Sequence, residues 1–492
     1  MKLFERLYRN SIAWLSRNVY LDNNATTPLD DNVRKMMMQA MRYDGNPSSI
    51  HMLGGQSRDI VEWAREQTAA VINAEPDEII FTSSGTEANN AVIKAIVRLK
   101  GKGHFITASI EHSSVLQVFK IMESMGCEVS YLSVDRKGII NIEELKRQIR
   151  PDTLLISIMH VNNETGSIQP IADIAALAKE KNILFHSDIV QSFGKFTIDV
   201  RTLPVDYLTF SAHKIYGPKG IGGLYIRKGK PFIPLIEGGH QENGLRAGTE
   251  ALVNIAGMGK ACEEMMHLNK DDLRQHLKTM KRALYEIFKQ EFPDVRVNGD
   301  LEHGSPTTLN LMMPSVNNRE LLAYLDFFKI SASTGSACIS GSTEPSHVLT
   351  AMGLSAEETN CSFRMGMGKF NDMHEVNKLR KVLRYFKTER AEFFDYIFPA
   401  DLSSSQTQDS QTILVDLRTR NQRKLHPPLP GAVCVNISMK ALKQLPRDKE
   451  IILMCEDGYL ANVYALRLKK AGWQKVKALF GGYRSWRMGS RE

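Results

Sequence analysis

TLLISIMHV (153–161), IADIAALAKEKN (171–182) and ILFHSDI (183–189) decide the fold. The outer two are apolar runs of strand length, and the middle one repeats Ile, Ala and Leu at the spacing of an amphipathic helix. Strand, helix and strand in that order form the crossover unit that sets two strands parallel. The alternation extends outward through EIIFTSS (78–84), HFITASI (104–110) and YLTFSA (207–212). The chain therefore predicts an α/β fold, a mainly parallel sheet covered by helices.

With 492 residues, 42% of them hydrophobic and 24% charged, the chain has room for about three domains and a large core. No run approaches the roughly 18 uncharged apolar residues of a membrane helix. Arg9 and Arg17 leave seven residues between them in the longest N-terminal apolar stretch, which also lacks a small-residue cleavage site. That argues against an anchor or secretion, leaves a short transit peptide open, and makes residues 1–18 an extension packed on the body. Six cysteines without a C-x-x-C pair suggest neither a disulfide framework nor a metal site, so a reducing, cytoplasmic setting is expected. PADLSSSQTQDSQ (399–411) reads as a linker between an aromatic stretch and the β-like run TILVDLR (412–418). Beyond it the chain is basic: Gln411 to Glu492 carries 16 Lys and Arg against 6 Asp and Glu, net +10, and the remainder is net −2. A basic tail domain suits an acidic protein or nucleic acid, or is a solvated surface and no more.

In open α/β sheets ligands sit beyond the carboxyl ends of the strands, so the residues just past each apolar run matter most. Here TSSGTEANN, NNETG, HSDIVQS and SAHKIYGPKG come after four of them. Lys214 lies just past a strand, where burial frees an amine for imine formation with an aldehyde; taken alone it is a weak signal. Gly85 and Thr86 open the helix-like EANNAVIKAIVRL, either as a plain cap or as a cradle for phosphate at its positive end. Asp188 suits a protonated pyridine nitrogen, the pairing that makes pyridoxal phosphate an electron sink.

Together these segments resemble the pyridoxal-phosphate-dependent cysteine desulfurases, within the class-V aminotransferase family. YLDNNATTP (20–28), NPSSIH (46–51), FTSSGTEANN (81–90), EHSSVL (111–116), HVNNETG (160–166), SDIVQSFGK (187–195), SAHKIYGPKG (211–220), RAGT (246–249) and TGSACISGSTEPSHVL (334–349) carry the resemblance in order. It implies a large domain of the aminotransferase type over about 30–265. A small α+β domain would complete this part of the chain, built from the N-terminal segment and about 266–398. It further implies that Lys214 binds the cofactor covalently, Asp188 pairs with its ring nitrogen, His112 stacks on the ring and Gln191 meets the phenolic oxygen. Gly85, Thr86, Ser211 and His213 would hold the phosphate, with Thr249 arriving from a second subunit of a homodimer. Asn163 and Arg364 would take the carboxylate of L-cysteine, Arg through its two-pronged geometry. The chain departs from the family pattern after RAGT, where it reads EAL in place of the usual proline or leucine, and at Gly366 and Lys369, where Ser and Arg often stand.

Cys338 sits in STGSACISGSTEP (333–345), whose glycines and serines offer no apolar run to bury a thiol, so it is a candidate mobile nucleophile. The resemblance makes it the cysteine that receives substrate sulfur as a persulfide while L-alanine is released. From 412 to 492 the chain resembles a single α/β rhodanese-like domain, and Cys455 falls at its persulfide-carrying position. Glu456, Asp457 and Leu460 depart from the basic or small residues usual there, and two carboxylates would raise the thiol pKa and repel sulfur anions. Cys455 is therefore either a sulfur relay or part of a docking module. The reading implies sulfur donation to a protein acceptor, for iron–sulfur clusters or for tRNA or cofactor thiolation; direct contact with nucleic acid stays open. Alternatives are a selenocysteine lyase or other β-lyase on the same scaffold, and a partner-binding scaffold with weak catalysis.

Overall fold

The computed structural model describes residues 18–314, 316–334, 345–393, 396–402, 411–435, 438–456 and 458–489. Cys338, Asp457 and the first 17 residues lie outside them. The expected strands assemble into one seven-stranded sheet. Its order is Ile79–Thr82, Gly222–Ile226, Tyr207–Ser211, Leu184–Asp188, Thr153–Ser157, His104–Ala108 and Glu128–Leu132. All run parallel except Gly222–Ile226, which is antiparallel to both neighbours. Every strand but the edge strand Glu128–Leu132 is buried along its whole length or all but one residue, which is why these strands read as continuous apolar runs rather than alternating ones. Helices such as Gly85–Lys100 and Ile171–Glu180 cover the sheet, with Ile93, Ile96, Ile174 and Leu177 turned inward.

A second core lies around the antiparallel sheet Ser362–Gly366, Thr308–Met312 and Arg296–Asn298. The long helices Lys270–Glu291 and Met373–Phe393 pack on each other above it. The N-terminal strand Val19–Tyr20 pairs in parallel with Ile330–Ser331 and buries Val19 and Leu21 in this second core. The chain then crosses to the large sheet through residues 22–30, between the two cores.

The third unit is a five-stranded parallel sheet ordered Tyr396–Ile397, Val476–Leu479, Glu450–Met454, Thr412–Asp416 and Val433–Cys434. This corrects the expected boundary. Tyr396 and Ile397 are its edge strand rather than the end of the preceding domain, and Ile397 and Leu402 are buried with Leu414 and Met454. The expected linker is thus anchored at its start, because burying two aliphatic side chains outweighs the polar character of the residues after them. Tyr396 also packs against the second core, so one ring touches both units.

Candidate active site

Four strand ends and the N-terminal crossing segment enclose a cavity of about 430 Å3. The strand Ile79–Thr82 turns directly into the helix Gly85–Lys100, capped by Ser84, whose hydroxyl accepts from the Glu87 N–H at 3.2 Å. Gly85 and Thr86 open that helix at the cavity wall, where first-turn N–H groups have no intrahelical acceptor. A Cβ at Gly85 would come within 2.9 Å of Val190, so only the bare backbone fits this close approach.

Asp188 ends the central strand Leu184–Asp188 and is almost fully buried. Two donors hold it: Val190 N–H at 2.9 Å and the Asn89 side-chain amide at 2.7 Å, the latter one turn along the helix from Gly85. Asn89 also donates to Ser114 at 2.9 Å, and Ser114 contacts His112 Nδ1 at 2.8 Å. His112 caps the helix Ser113–Ser124 and faces the cavity. Burial lowers its pKa, with Lys214 and His347 adding to the effect against Asp188, so the imidazole is neutral near pH 7.

Lys214 follows the strand Tyr207–Ser211 on the single turn Ala212–Lys214. Its Nζ donates to the backbone carbonyls of Asn24 and of Ala25, the latter at 2.7 Å. His213 contacts the Thr26 hydroxyl at 3.2 Å, and its pKa is pushed down to about 3, by burial first and then by Lys214 and Lys195. Gln191 donates to the Asn24 carbonyl at 3.0 Å, while its buried Oε1 has no partner among the described residues. Ser211 lines the cavity, its hydroxyl 3.4 Å from the Ile221 carbonyl.

At the far wall stand Asn163 and Arg364. Arg364 is 1% exposed and donates to the Asn163 carbonyl at 3.1 Å and to Asp22 at 2.9 Å. Its Nε is buried and has no acceptor among the described residues.

These residues fit pyridoxal phosphate. The cavity joins an amine, a buried carboxylate for a ring nitrogen, a neutral imidazole, a helix start for phosphate and an unsatisfied Gln191 oxygen. The sequence predicts Lys214, His112, Asp188, Gln191, Gly85, Thr86, Ser211, His213, Asn163 and Arg364 at one site, and all line this cavity. Thr249 does not; it is the exposed last residue of the RAGT loop. Cys338 lies outside the described residues, and Cys455 belongs to the third unit. Asn24, Asp22 and Asn89 contribute without having been singled out by their residue types. All three lie inside the motifs that carry the family resemblance, and Asn89 had a usable signal: it is four residues from Gly85, hence on the same helix face.

Cys455 is buried at 2% exposure among Leu453, Val415 and Ala461, and its sulfur accepts from the Ala461 N–H at 3.4 Å. Glu456, just past the end of the strand Glu450–Met454, pairs with Arg484 at 3.4 Å and lines a surface pocket with Tyr483.

The aminotransferase class-V family model matches residues 19–379, and the rhodanese-like domain model matches 399–488. A protein of Dictyoglomus turgidum named cysteine desulfurase IscS is 44% identical over 373 residues, 75% of this chain and 94% of that one. Among solved structures, a NifS-like protein superposes with a TM-score of 0.71 at 37% identity, covering 76% of this chain and 100% of its own. A structure described as SspA in complex with cysteine has a TM-score of 0.64 at 38% identity, covering 72% of this chain and 100% of its own.

Proposed function

Because the chain belongs to the class-V aminotransferase family and is a pyridoxal-phosphate-dependent cysteine desulfurase with a rhodanese-like domain, we propose that Cys338 takes the sulfur of L-cysteine as a persulfide and passes it to an acceptor protein. The observation that carries this is the meeting of Lys214, Asp188, His112, Thr86 and Arg364 in one cavity. Lys214, Thr86, Ser211, His213, Gln191, His112 and Asp188 would hold the cofactor. When bound, pyridoxal phosphate supplies an aldehyde for amine capture and a ring that accepts the electron pair left by a departing Cα proton.

The chain's own residues do the rest. Arg364 and Asn163 orient the substrate carboxylate, with the unpartnered Nε of Arg364 still to be satisfied. Lys214 receives the Cα proton on an amine positioned by the carbonyls of Asn24 and Ala25. Asn89 and the Val190 N–H hold the Asp188 carboxyl in a fixed orientation. The Cys338 thiolate attacks the substrate sulfur; the S–S bond forms as the Cβ–S bond breaks, and Cβ keeps the electron pair and takes a proton to become the methyl group of alanine.

A second copy of the chain completes the site in this reading. Ile50 is 100% and Met52 75% exposed, with Leu53 exposed next to them, an apolar segment that a partner would cover. Exposed Thr249 would then reach the partner's phosphate site. The rhodanese-like domain serves as a docking module for the acceptor, since its thiol is buried; the Ala461 N–H on the Cys455 sulfur favours the relay as the second reading. The setting is the reducing cytoplasm.

Mass spectrometry of Cys338 and Cys455 after one turnover with 34S-cysteine tests the sulfur path. We expect heavy sulfur on Cys338, none on Cys455, and no sulfide release from Cys338→Ser. Full-rate release from that variant would defeat the reading, and label on Cys455 would establish the relay.

A further inference from the structure

Arg364 is held from two sides. Its strand Ser362–Gly366 pairs with Thr308–Met312, and a bridge to Ser333 fixes its backbone on the other edge. The side chain reaches the cavity wall, but its charged partner does not: Asp22 touches Nη2 at 2.9 Å from behind and is absent from the cavity lining. Asp22 is placed there by a second bridge, to Gly366, where Leu21 accepts from the Gly366 N–H and Asn23 donates to the Gly366 carbonyl at 3.1 Å. A Cβ at 366 would fall 2.6 Å from the Asn24 nitrogen, so this approach of the N-terminal segment requires glycine. Gly366 and Asp22 thus meet at one bridge.

A guanidinium buried without a counter-charge is costly and captures whatever small anion enters. Its other acidic neighbour, Glu164, has its pKa raised by burial and accepts from the Ser346 hydroxyl, so it offers less negative charge than an exposed glutamate would. The cavity already holds the Lys214 amine and a helix start, both attractive to anions. We propose that Asp22 is a specificity-determining residue: an internal counter-ion that keeps Arg364 from trapping stray monoanions and leaves the rest of its guanidinium for a carboxylate whose remaining groups are anchored elsewhere in the site. The inference rests on the reading of Arg364 as the carboxylate-binding residue.

The test uses the full-length enzyme, titrated with sodium acetate at constant ionic strength. Binding is read by thermal shift and by inhibition of alanine release, with acetamide as the neutral control. Asp22→Asn, and Asp22→Ser as a second neutral variant, should bind acetate about tenfold more tightly than the wild type, the response expected when a buried cation loses its partner. Asp22→Glu should return acetate affinity toward the wild-type value, and acetamide should distinguish none of them. Unchanged or weaker acetate binding in the neutral variants overturns the proposal, as does failure of both to fold, which would make Asp22 a structural counter-ion only. Arg364→Met separates the underlying reading: acetate binding or cysteine KM unmoved by that change would reject the role of Arg364 itself, whatever Asp22 does.

Discussion

Charge in the cavity is controlled by groups held away from their ordinary protonation states. His112 and His213 are kept neutral by burial, so neither adds a positive charge beside Lys214. Glu111, next to His112, is wholly buried; one oxygen accepts from the Met159 N–H at 2.9 Å and the other has no partner among the described residues. Burial raises its pKa well above 4.5, with Asp188 adding to the rise. Between 4.5 and that higher value the folded chain binds a proton that the unfolded chain does not, so stability falls as pH rises through the window. Glu111→Gln removes the titration. The variant should gain on the wild type as pH rises above 4.5, by up to about 1.4 kcal/mol per pH unit within the window, seen as a widening difference in Tm. Parallel melting curves across that range would show Glu111 to be ionised in the folded protein.

The helix Gly85–Lys100 does two jobs because of its phase. Gly85 and Thr86 meet the cavity at its first turn, and Asn89, one turn on, reaches Asp188. The motif points to the first pair and passes over the second, since a motif gives order along the chain but not which side chain meets which strand. Asn89→Ala leaves Asp188 with the Val190 N–H and removes one hydrogen bond to a charged acceptor, worth about 1.5–3 kcal/mol. We expect kcat to fall about tenfold or more with KM little changed and the yellow cofactor retained after dialysis. A variant with wild-type kcat would show that the Val190 N–H alone suffices.

Across the whole molecule, three cores are joined by short crossings. Residues 22–30 carry the chain from the second core to the large sheet and supply carbonyls to Lys214 and Gln191 on the way. Tyr396 ties the third unit to the second core. In the proposed homodimer the exposed apolar segment around Ile50 would meet the second copy. Ile50→Glu with Leu53→Glu should shift sedimentation from a dimer to a single chain and weaken cofactor retention, because Thr249 would no longer reach a partner's site. A single chain in the unaltered protein would remove the shared-site reading.

The amino-acid sequence by itself determined the parallel sheet and the location of the chemistry at its strand ends, because fully buried strands must be continuous apolar runs and polar loops can only come after them. It also determined the cavity residues that fall in local motifs, Lys214 and Asp188 among them. Only the tertiary structure decided that Asp22 backs Arg364 across 342 positions of chain, that Glu456 pairs with Arg484, and that Tyr396 and Ile397 belong to the last sheet. Those contacts depend on register between distant strands and on which face a side chain takes, and a local pattern of residue types carries neither.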